Sequence, residues 1–336
     1  MSPTGTIDQV AALRQGAGAF LLPRDVLDVR GDDAETYLQG QLSQDVAALA
    51  VGASTDSLLL QPDGKLTALV RVTRVDANGF VLDVDGGYGD LVTARLKKFL
   101  LRTKVTIERL EWRCLALRGD AAASRAAGLL AVLSEGGVMA LPFEWNGWTG
   151  IDLLGPRDLI LDPDQGDLPE GVVACAVEAV EACRIVSGLP AMGSELTDRT
   201  IAAEAGLVER TVSFTKGCYT GQELVARLDS RGNNVPRRLV GVIGGADAST
   251  GALAAGMTLH AVDPPPEGDD PVADKVVGTI TSAAWSSEIG AWVALAYLHR
   301  TIDCPGGIRI RSGDGLGGAQ SARVGTIPLS PTPAPG

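Results

Sequence analysis

Along this chain of 336 residues the spacing of hydrophobic positions changes period several times, and each change marks an element. Ser57–Gln61 and Leu66–Val75 are rich in aliphatic and β-branched residues and flank Pro62-Asp63-Gly64, which predicts two strands joined by a hairpin. A second turn, Asp76-Ala77-Asn78-Gly79, leads into a strand over Phe80–Val84, and Val105–Glu108 and Arg113–Arg118 predict two more. Leu91, Ala94, Leu96 and Phe99 fall at helical spacing, so a helix is expected over Asp90–Leu101, with basic residues at its C-terminus where they complement the helix dipole. Asp32-x-x-Glu35 has the form of a capping box and predicts a helix through about Val46. Further helices are predicted over Asp120 to about Leu133 and Val177–Val186. Strands and helices intermix without a regular βαβ repeat, so the fold class is α+β.

From Arg238 onward the pattern becomes one of short strand-like runs, at Leu239–Ile243, Thr258–Val262, Val276–Thr281 and Trp292–Tyr297, separated by Gly- and Pro-rich turns. That is the pattern of a small β-barrel. Three consecutive prolines make Asp263–Pro271 an expected exposed loop, and four prolines in Ile327–Gly336 an expected frayed tail. The expected organisation is an α+β body of two subdomains over 1–235, a barrel over 236–328 and a Pro-rich tail over 329–336.

Composition narrows the class. A hydrophobic content of 45% and a mean hydropathy of +0.15 describe a globular chain long enough for two or three cores. No apolar run approaches the roughly 18 residues of a membrane span, and residues 1–20 lack a basic segment followed by an apolar one, so the expectation is a cytoplasmic protein without membrane contact. Five cysteines, Cys114, Cys175, Cys183, Cys218 and Cys304, at irregular spacing point to a reducing compartment rather than a disulfide framework. A net charge of −12 argues against strong nucleic-acid binding. Locally the balance reverses: between Glu209 and Arg238, Arg210, Lys216, Arg227, Arg231, Arg237 and Arg238 outnumber Glu209, Glu223 and Asp229. Such a cluster reads equally as a solvated charged surface or as a site for an anionic ligand or partner. His260 and His299 lack metal-ligand spacing, no C-x-x-C is present, there is no Walker A loop or G-x-S-x-G, and glycine clusters such as Gly315-Leu316-Gly317-Gly318 read as turns.

The densest chemistry lies in Lys216-Gly217-Cys218-Tyr219-Thr220-Gly221-Gln222-Glu223. A thiol stands beside a cation and between two glycines, just before the helical spacing of Leu224–Leu228. A neighbouring lysine and a helix N-terminus both favour thiolate over thiol, and glycines permit backbone geometries and close approaches that a Cβ would block. A glycine-bounded loop around an inert cysteine is the alternative.

This string resembles the signature of the YgfZ family, folate-binding-like relatives of the glycine cleavage T-protein (aminomethyltransferase). Further matches follow in order over about residues 20–300: Val29-Arg30-Gly31-Asp32 with Tyr37-Leu38-Gln39-Gly40-Gln41-Leu42, Pro62-Asp63-Gly64-Lys65, Arg184-Ile185-Val186-Ser187-Gly188-Leu189-Pro190, Glu195-Leu196-Thr197-Asp198, Arg237–Gly241 and Val277–Ser282. The resemblance implies a T-protein-like α+β body and a C-terminal β-barrel around a central cleft that binds tetrahydrofolate. It also implies a role in assembly or repair of iron–sulfur proteins. Cys218 would be the functional thiol with Lys216 beside it, and Gly217, Tyr219, Gly221, Gln222, Glu223 and Arg227 would form the ligand site. The expected partners are a folate-type small molecule and iron–sulfur proteins or their assembly machinery. One thiol cannot hold a [4Fe–4S] cluster, so any cluster would be shared or transient.

Two departures qualify that picture. Where T-proteins carry a catalytic Asp after the glycine hairpin, this chain has Ala68 or Leu69, neither of which can accept a proton. Where relatives carry a pterin-contacting Glu, it has Val186, which weakens the expected folate contact. Aminomethyl transfer is therefore not expected. The alternatives are a tetrahydrofolate-dependent one-carbon transferase or tRNA-modification factor, and a pure interaction module.

Overall fold

The computed structural model describes residues 3–133, 137–166, 168–232, 234–247, 251–262, 275–311 and 319–330. Period-2 patterning builds its centre. In β4 (Leu66–Arg74) the even positions Ala68, Val70 and Val72 are buried against the helices α2 (Ala34–Gln41) and α3 (Gly89–Lys97). The odd positions Leu69 and Arg71 turn the other way, because successive side chains of a strand alternate faces. The same alternation in β5 (Gly79–Asp85) sends Phe80, Leu82 and Val84 to the helices and Asp83 to the opposite face. With β2 (Arg24–Arg30), β3 (Ser54–Leu60) and β6 (Thr106–Leu110) these strands form an antiparallel sheet in the order β3-β4-β5-β2-β6.

A second five-stranded sheet has the order β10-β1-β7-β9-β8, from β1 (Gly18–Leu22), β7 (Trp112–Arg118), β8 (Met139–Trp145), β9 (Trp148–Pro156) and the short parallel strand β10 (Val173–Ala174). Its Leu115, Leu117 and Leu153 pack under α4 (Ala122–Leu133). Its other face meets the first sheet through Val26, Val81, Cys114, Leu141 and Leu154, and meets α1 (Pro3–Arg14) and α5 (Val177–Ser187) through Ala116, Leu13, Ala179 and Cys183. Gly188 ends α5 in the left-handed conformation, φ 68°, which is why the helix stops there.

The C-terminal part is a closed six-stranded barrel, β11-β14-β13-β12-β15-β16, made from β11 (Arg237–Ile243), β12 (Thr258–Ala261), β13 (Val276–Ser286), β14 (Ala291–His299), β15 (Gly306–Arg311) and β16 (Gln320–Gly325). Its inside holds Val240, Val242, Leu259, Ile280, Ala294, Ala296, Ile308 and Ile310. Its outer residues Leu239, Val293, Leu295 and Tyr297 dock on Ile185 and Val186 of α5. The fully buried Glu195 fastens this junction: Oε1 accepts from the Thr281 and Ser282 hydroxyls at 2.6 Å each, and Oε2 accepts from Arg184 Nη1 at 2.9 Å and from the Ala191 N–H at 3.0 Å.

Several sequence expectations shift. Asp32 does not cap α2: the flanking residue is Asp33, whose carboxylate accepts from the Lys104 N–H at 2.8 Å, while Glu35 pairs with Arg74. The helix ends at Gln41 rather than near Val46, because the Gln39 side chain turns back to accept the Val46 N–H at 2.8 Å. Four barrel strands were legible; β15 and β16 were not, although Ile308-Arg309-Ile310-Arg311 and Ser321-Ala322-Arg323-Val324 alternate, because only two buried side chains mark each. The tail is not frayed at its start, since Leu329 is buried and its N–H donates to the Val186 carbonyl at 2.7 Å. The expected loop at 263–271 and the end of the tail, 331–336, lie outside the described residues. No helix among the described residues is long and apolar enough to cross a membrane.

Candidate functional site

Residues 216–221 lie in the loop between α6 (Val208–Thr211) and α7 (Gln222–Asp229), Gln222 and Glu223 open α7, and the loop is pinned at four points. Tyr219 is buried among Leu58, Leu60, Leu66, Leu196 and Val225. Gly221 has φ 84°, and a Cβ there would stand 2.5 Å from the Gln61 carbonyl oxygen, so only glycine lets the loop close on the β3–β4 hairpin. The Thr220 N–H donates to the Gly40 carbonyl at 3.1 Å.

The fourth pin is Lys216, and it corrects an expectation. Its ammonium donates to the carbonyls of Gln39 at 2.7 Å, Leu42 at 2.7 Å and Gln44 at 2.9 Å, and it lies 5.2 Å from the Tyr219 ring centroid. An ammonium has three donors, and all three are taken by backbone oxygens at the end of α2. Lys216 therefore holds the loop on the body rather than serving Cys218. Burial pulls Lys216 down to about 8, against the Asp45 carboxylate, which holds it up. A lysine lowered by folding binds fewer protons than its unfolded counterpart between that value and the ordinary 10.5, so it adds stability as pH rises through that window. The stability difference between the wild type and Lys216→Met, read by urea denaturation, is expected to move in the wild type's favour between pH 8 and pH 9.5. A constant difference would show that the ammonium keeps its ordinary titration.

The remaining signature residues face outward or act locally. Cys218 is exposed and lies three positions before the Gly221 cap of α7, so it is not at the helix terminus itself. A Cβ at Gly217 would meet nothing within 4 Å, so no close approach explains that glycine. Glu223 and Arg227 are exposed and Gln222 is half-buried. The basic cluster around the loop is dispersed: Arg210 pairs with Asp56 at 2.8 Å, Arg237 with Glu204 at 3.0 Å, and Arg238 donates to the Ile302 carbonyl at 2.9 Å. Arg227 and Arg231 remain as exposed cations. Both histidines are structural, His260 bonded to Thr258 at 2.9 Å and His299 to Thr301 at 2.8 Å.

A cavity of about 340 Å³ lies elsewhere, between the two body sheets and α5, within the range of small-molecule sites. Neither the signature loop nor any barrel residue lines it, contrary to the expected cleft between body and barrel. Tyr219 anchors the loop in a different hydrophobic cluster, and the barrel is held on the outer side of α5. The cavity walls are largely apolar and aromatic, with Leu69, Phe143, Trp145, Trp148 and Leu189. Its floor is a ladder of ions that ties one sheet to the other. Arg24 meets Asp83 at 2.6 Å and Asp85 at 2.5 Å; Arg71 bridges Asp83 at 2.9 Å and Asp152 at 2.6 Å; Arg118 meets Asp152 at 2.7 Å. Burial alone would raise the Asp152 carboxyl, but the guanidiniums of Arg118 and Arg71 overturn this and hold it down at about 2. Asp83 is lowered for the same reason, with Arg24 and Arg71 outweighing its burial.

The ladder was missed in the sequence. Its signal was charges set within apolar strands, as in WRCLALR, LTALVRVTR and GFVLDVD. Of the two candidate positions for the missing carboxylate, Leu69 lies on the cavity wall and Ala68 is buried on the helix side of the sheet. Val186 is not on the cavity wall: it is buried among Leu239, Val293, Leu295, Tyr297 and Leu329, and Val180 and Arg184 are the α5 residues that reach the cavity. A Glu at 186 would thus be an unpaired carboxylate in an apolar cluster rather than a ligand contact.

Comparison with known proteins agrees with this architecture. The family profile of the glycine cleavage T-protein C-terminal barrel domain matches residues 254–316. An uncharacterised protein of Haemophilus influenzae is 31% identical over 62% of this chain and 67% of its own length. The tRNA-modifying protein YgfZ of Edwardsiella ictaluri is 31% identical over 62% of this chain and 65% of its own length, so the match spans about two thirds of these relatives. An aminomethyltransferase of Symbiobacterium thermophilum is 27% identical over 98% of this chain and 90% of its own length. The crystal structure of the glycine cleavage system aminomethyltransferase T from Bartonella henselae superposes with a TM-score of 0.77 at 21% identity, covering 98% of this chain and 91% of that one, which shows the shared fold. With the signature loop, the sheet pair, the barrel and these relatives together, the chain belongs to the YgfZ family, kin of the glycine cleavage T-protein.

Proposed function

We propose that this protein is a folate-linked factor supporting assembly or repair of iron–sulfur proteins, with Cys218 as its working thiol and without glycine-cleavage aminomethyltransferase activity. The observation that carries the reading is the placement of Cys218. It is the exposed thiol of the five, on a loop clamped to the body by Lys216, Tyr219 and Gly221, where a partner protein can reach it. Arg227 and Glu223 stand exposed on the following helix and would meet that partner. Among the described residues no group of three or more His, Cys, Asp or Glu could hold a metal ion, so a cluster would arrive as cargo with ligands from another chain.

The cavity suits the ring of a folate: its aromatic and aliphatic walls fit a flat heterocycle, while the lining arginines Arg184 and Arg210 are already engaged, the first by Glu181 and Glu195 and the second by Asp56 and Glu144. Tetrahydrofolate supplies one-carbon chemistry when bound; the chain's own residues would bind and orient it. Leu69 presents no carboxylate where T-proteins place their acid. The lining acids Asp56, Asp85, Glu144 and Asp152 are each paired with arginine, so none stands free as a base. Tetrahydrofolate is therefore expected to bind without turnover in a glycine-cleavage assay, and measurable aminomethyl transfer by the wild type would overturn the non-transferase part of the reading. The role itself is tested by deleting the gene, measuring [4Fe–4S] enzyme activities, and complementing with wild type and Cys218→Ala. Full complementation by Cys218→Ala would remove the thiol from the function.

A second reading, a tRNA-modification factor, is favoured by the relatives that carry that name. It predicts that deletion leaves [4Fe–4S] enzymes intact and changes tRNA modification alone.

A further inference from the structure

We propose that Arg118 is the specificity residue of the cavity: its free donor edge reads the exocyclic oxygen of a flat heterocyclic ligand. This rests on the reading of the cavity as a folate-type site and adds which edge of the ring is recognised and by which side chain. Arg118 ends β7, is 2% exposed, and forms part of the cavity wall. Its guanidinium carbon lies 3.7 Å from the Phe143 ring centroid and 5.7 Å from those of Phe20 and Trp148, a cation among aromatic rings.

A guanidinium carries five N–H donors in a rigid fork. Nη1 accounts for every hydrogen bond that Arg118 makes. It donates to Asp152 Oδ1 at 2.7 Å, to the Leu117 carbonyl at 3.2 Å and, at 3.5 Å, to the Ile151 carbonyl. Among the described residues Nε is buried with no partner, and Nη2 makes no hydrogen bond. Asp152 cannot turn to serve them, because its other oxygen is held by Arg71 at 2.6 Å. Nε and Nη2 lie along one edge of the guanidinium, so their N–H groups form a parallel pair 2–3 Å apart on the order of a bidentate contact. Both N–H groups can converge on one carbonyl oxygen, the acceptor on that edge of tetrahydrofolate, whose flanking ring nitrogens each carry hydrogen. The aromatic surround restricts the group that approaches to a flat one. An amino group in place of the oxygen would set donor against donor and leave a buried N–H unmet.

Folic acid, which has a 4-oxo group, and aminopterin, its 4-amino counterpart with the same glutamate tail, are the probes. Calorimetric titration of the full chain is expected to show aminopterin binding ~10–100-fold more weakly, the cost of one unmet buried donor. Arg118→Lys keeps a cation for Asp152 but removes the fork, and is expected to bring the two affinities within about threefold while the melting temperature stays within a few degrees. Equal affinities of the wild type for the two ligands would overturn the proposal without touching the site itself. Unchanged discrimination in a folded Arg118→Lys variant would overturn it as well. Failure of the wild type to bind either ligand would remove the folate reading of the cavity, and the proposal with it.

Discussion

Asp152→Ala is expected to cost about 3–5 kcal/mol of stability, because it strands the buried Arg118 guanidinium and removes one of the two carboxylates, Asp83 and Asp152, that Arg71 bridges. Arg71 and Arg118 both meet this carboxylate, at 2.6 and 2.7 Å, and Arg118 has no other anion. In urea denaturation the midpoint should fall sharply, and in a thermal scan by about 5–15 °C. The Lys65–Asp63 pair on the hairpin, with side chains 45% and 53% exposed, is the control: Lys65→Ala should cost less than about 1 kcal/mol, since exposed ion pairs contribute little. The same carboxylate sets an acid limit. Its folded value of about 2 lies below its ordinary 3.8, so its contribution is present above that ordinary value and is lost as pH falls through about 2. Asp83 acts in the same direction. The wild type should therefore lose stability on going from pH 5 to pH 2 by more than Asp152→Ala does. A variant within 1 kcal/mol of the wild type at pH 7 would show that the ladder does not hold the two sheets together.

Under brief alkylation of the native protein at pH 7.5, Cys218 is expected to label at least ~100-fold faster than any of the three buried thiols. Burial pushes the Cys175 thiol up to about 11 and the Cys183 thiol up to about 12, and it raises Cys114 further, with Asp152 adding to the effect. At pH 7.5 a thiol at 11 is thiolate in roughly one molecule in three thousand, before its lack of access is counted. Cys304, half-buried and also raised by burial, should fall between. Mass-spectrometric labelling kinetics read all five at once. If Cys183 or Cys114 led the order, the assignment of Cys218 as the working thiol would not stand. Cys218→Ala should also abolish complementation in the deletion strain, while Cys175→Ala, which alters only packing beside Leu13 and Gly18, should retain it.

Much of the fold was legible because local rules and tertiary structure agree there. Strand alternation at 66–75, the Pro62-Asp63-Gly64 hairpin and the helical stripe ending at Gly188 all survive folding with small boundary shifts. The α2 boundary was not legible, since a glutamine side chain and Lys216, 174 positions from Leu42, decide where the helix stops. The signature loop could be found by its residues but not by its contacts: adjacency of Lys216 and Cys218 in sequence suggested an activated thiol, and the ammonium instead points into the body.

What the sequence determined by itself is the set of elements, the barrel that follows Arg238, and the thiol-bearing string that marks the family, because periodicity and motif are properties of neighbouring residues. What only the tertiary structure decided is the site between the sheets. Arg24, Asp83, Arg71, Asp152 and Arg118 come from five strands, β2, β5, β4, β9 and β7, and in sequence each is a charge within a strand with a partner far along the chain. Whether such a charge is an error of burial or one rung of a ladder depends on which carboxylate the facing strand presents within 3 Å. Strand order and register set that distance, and no short-range rule encodes either.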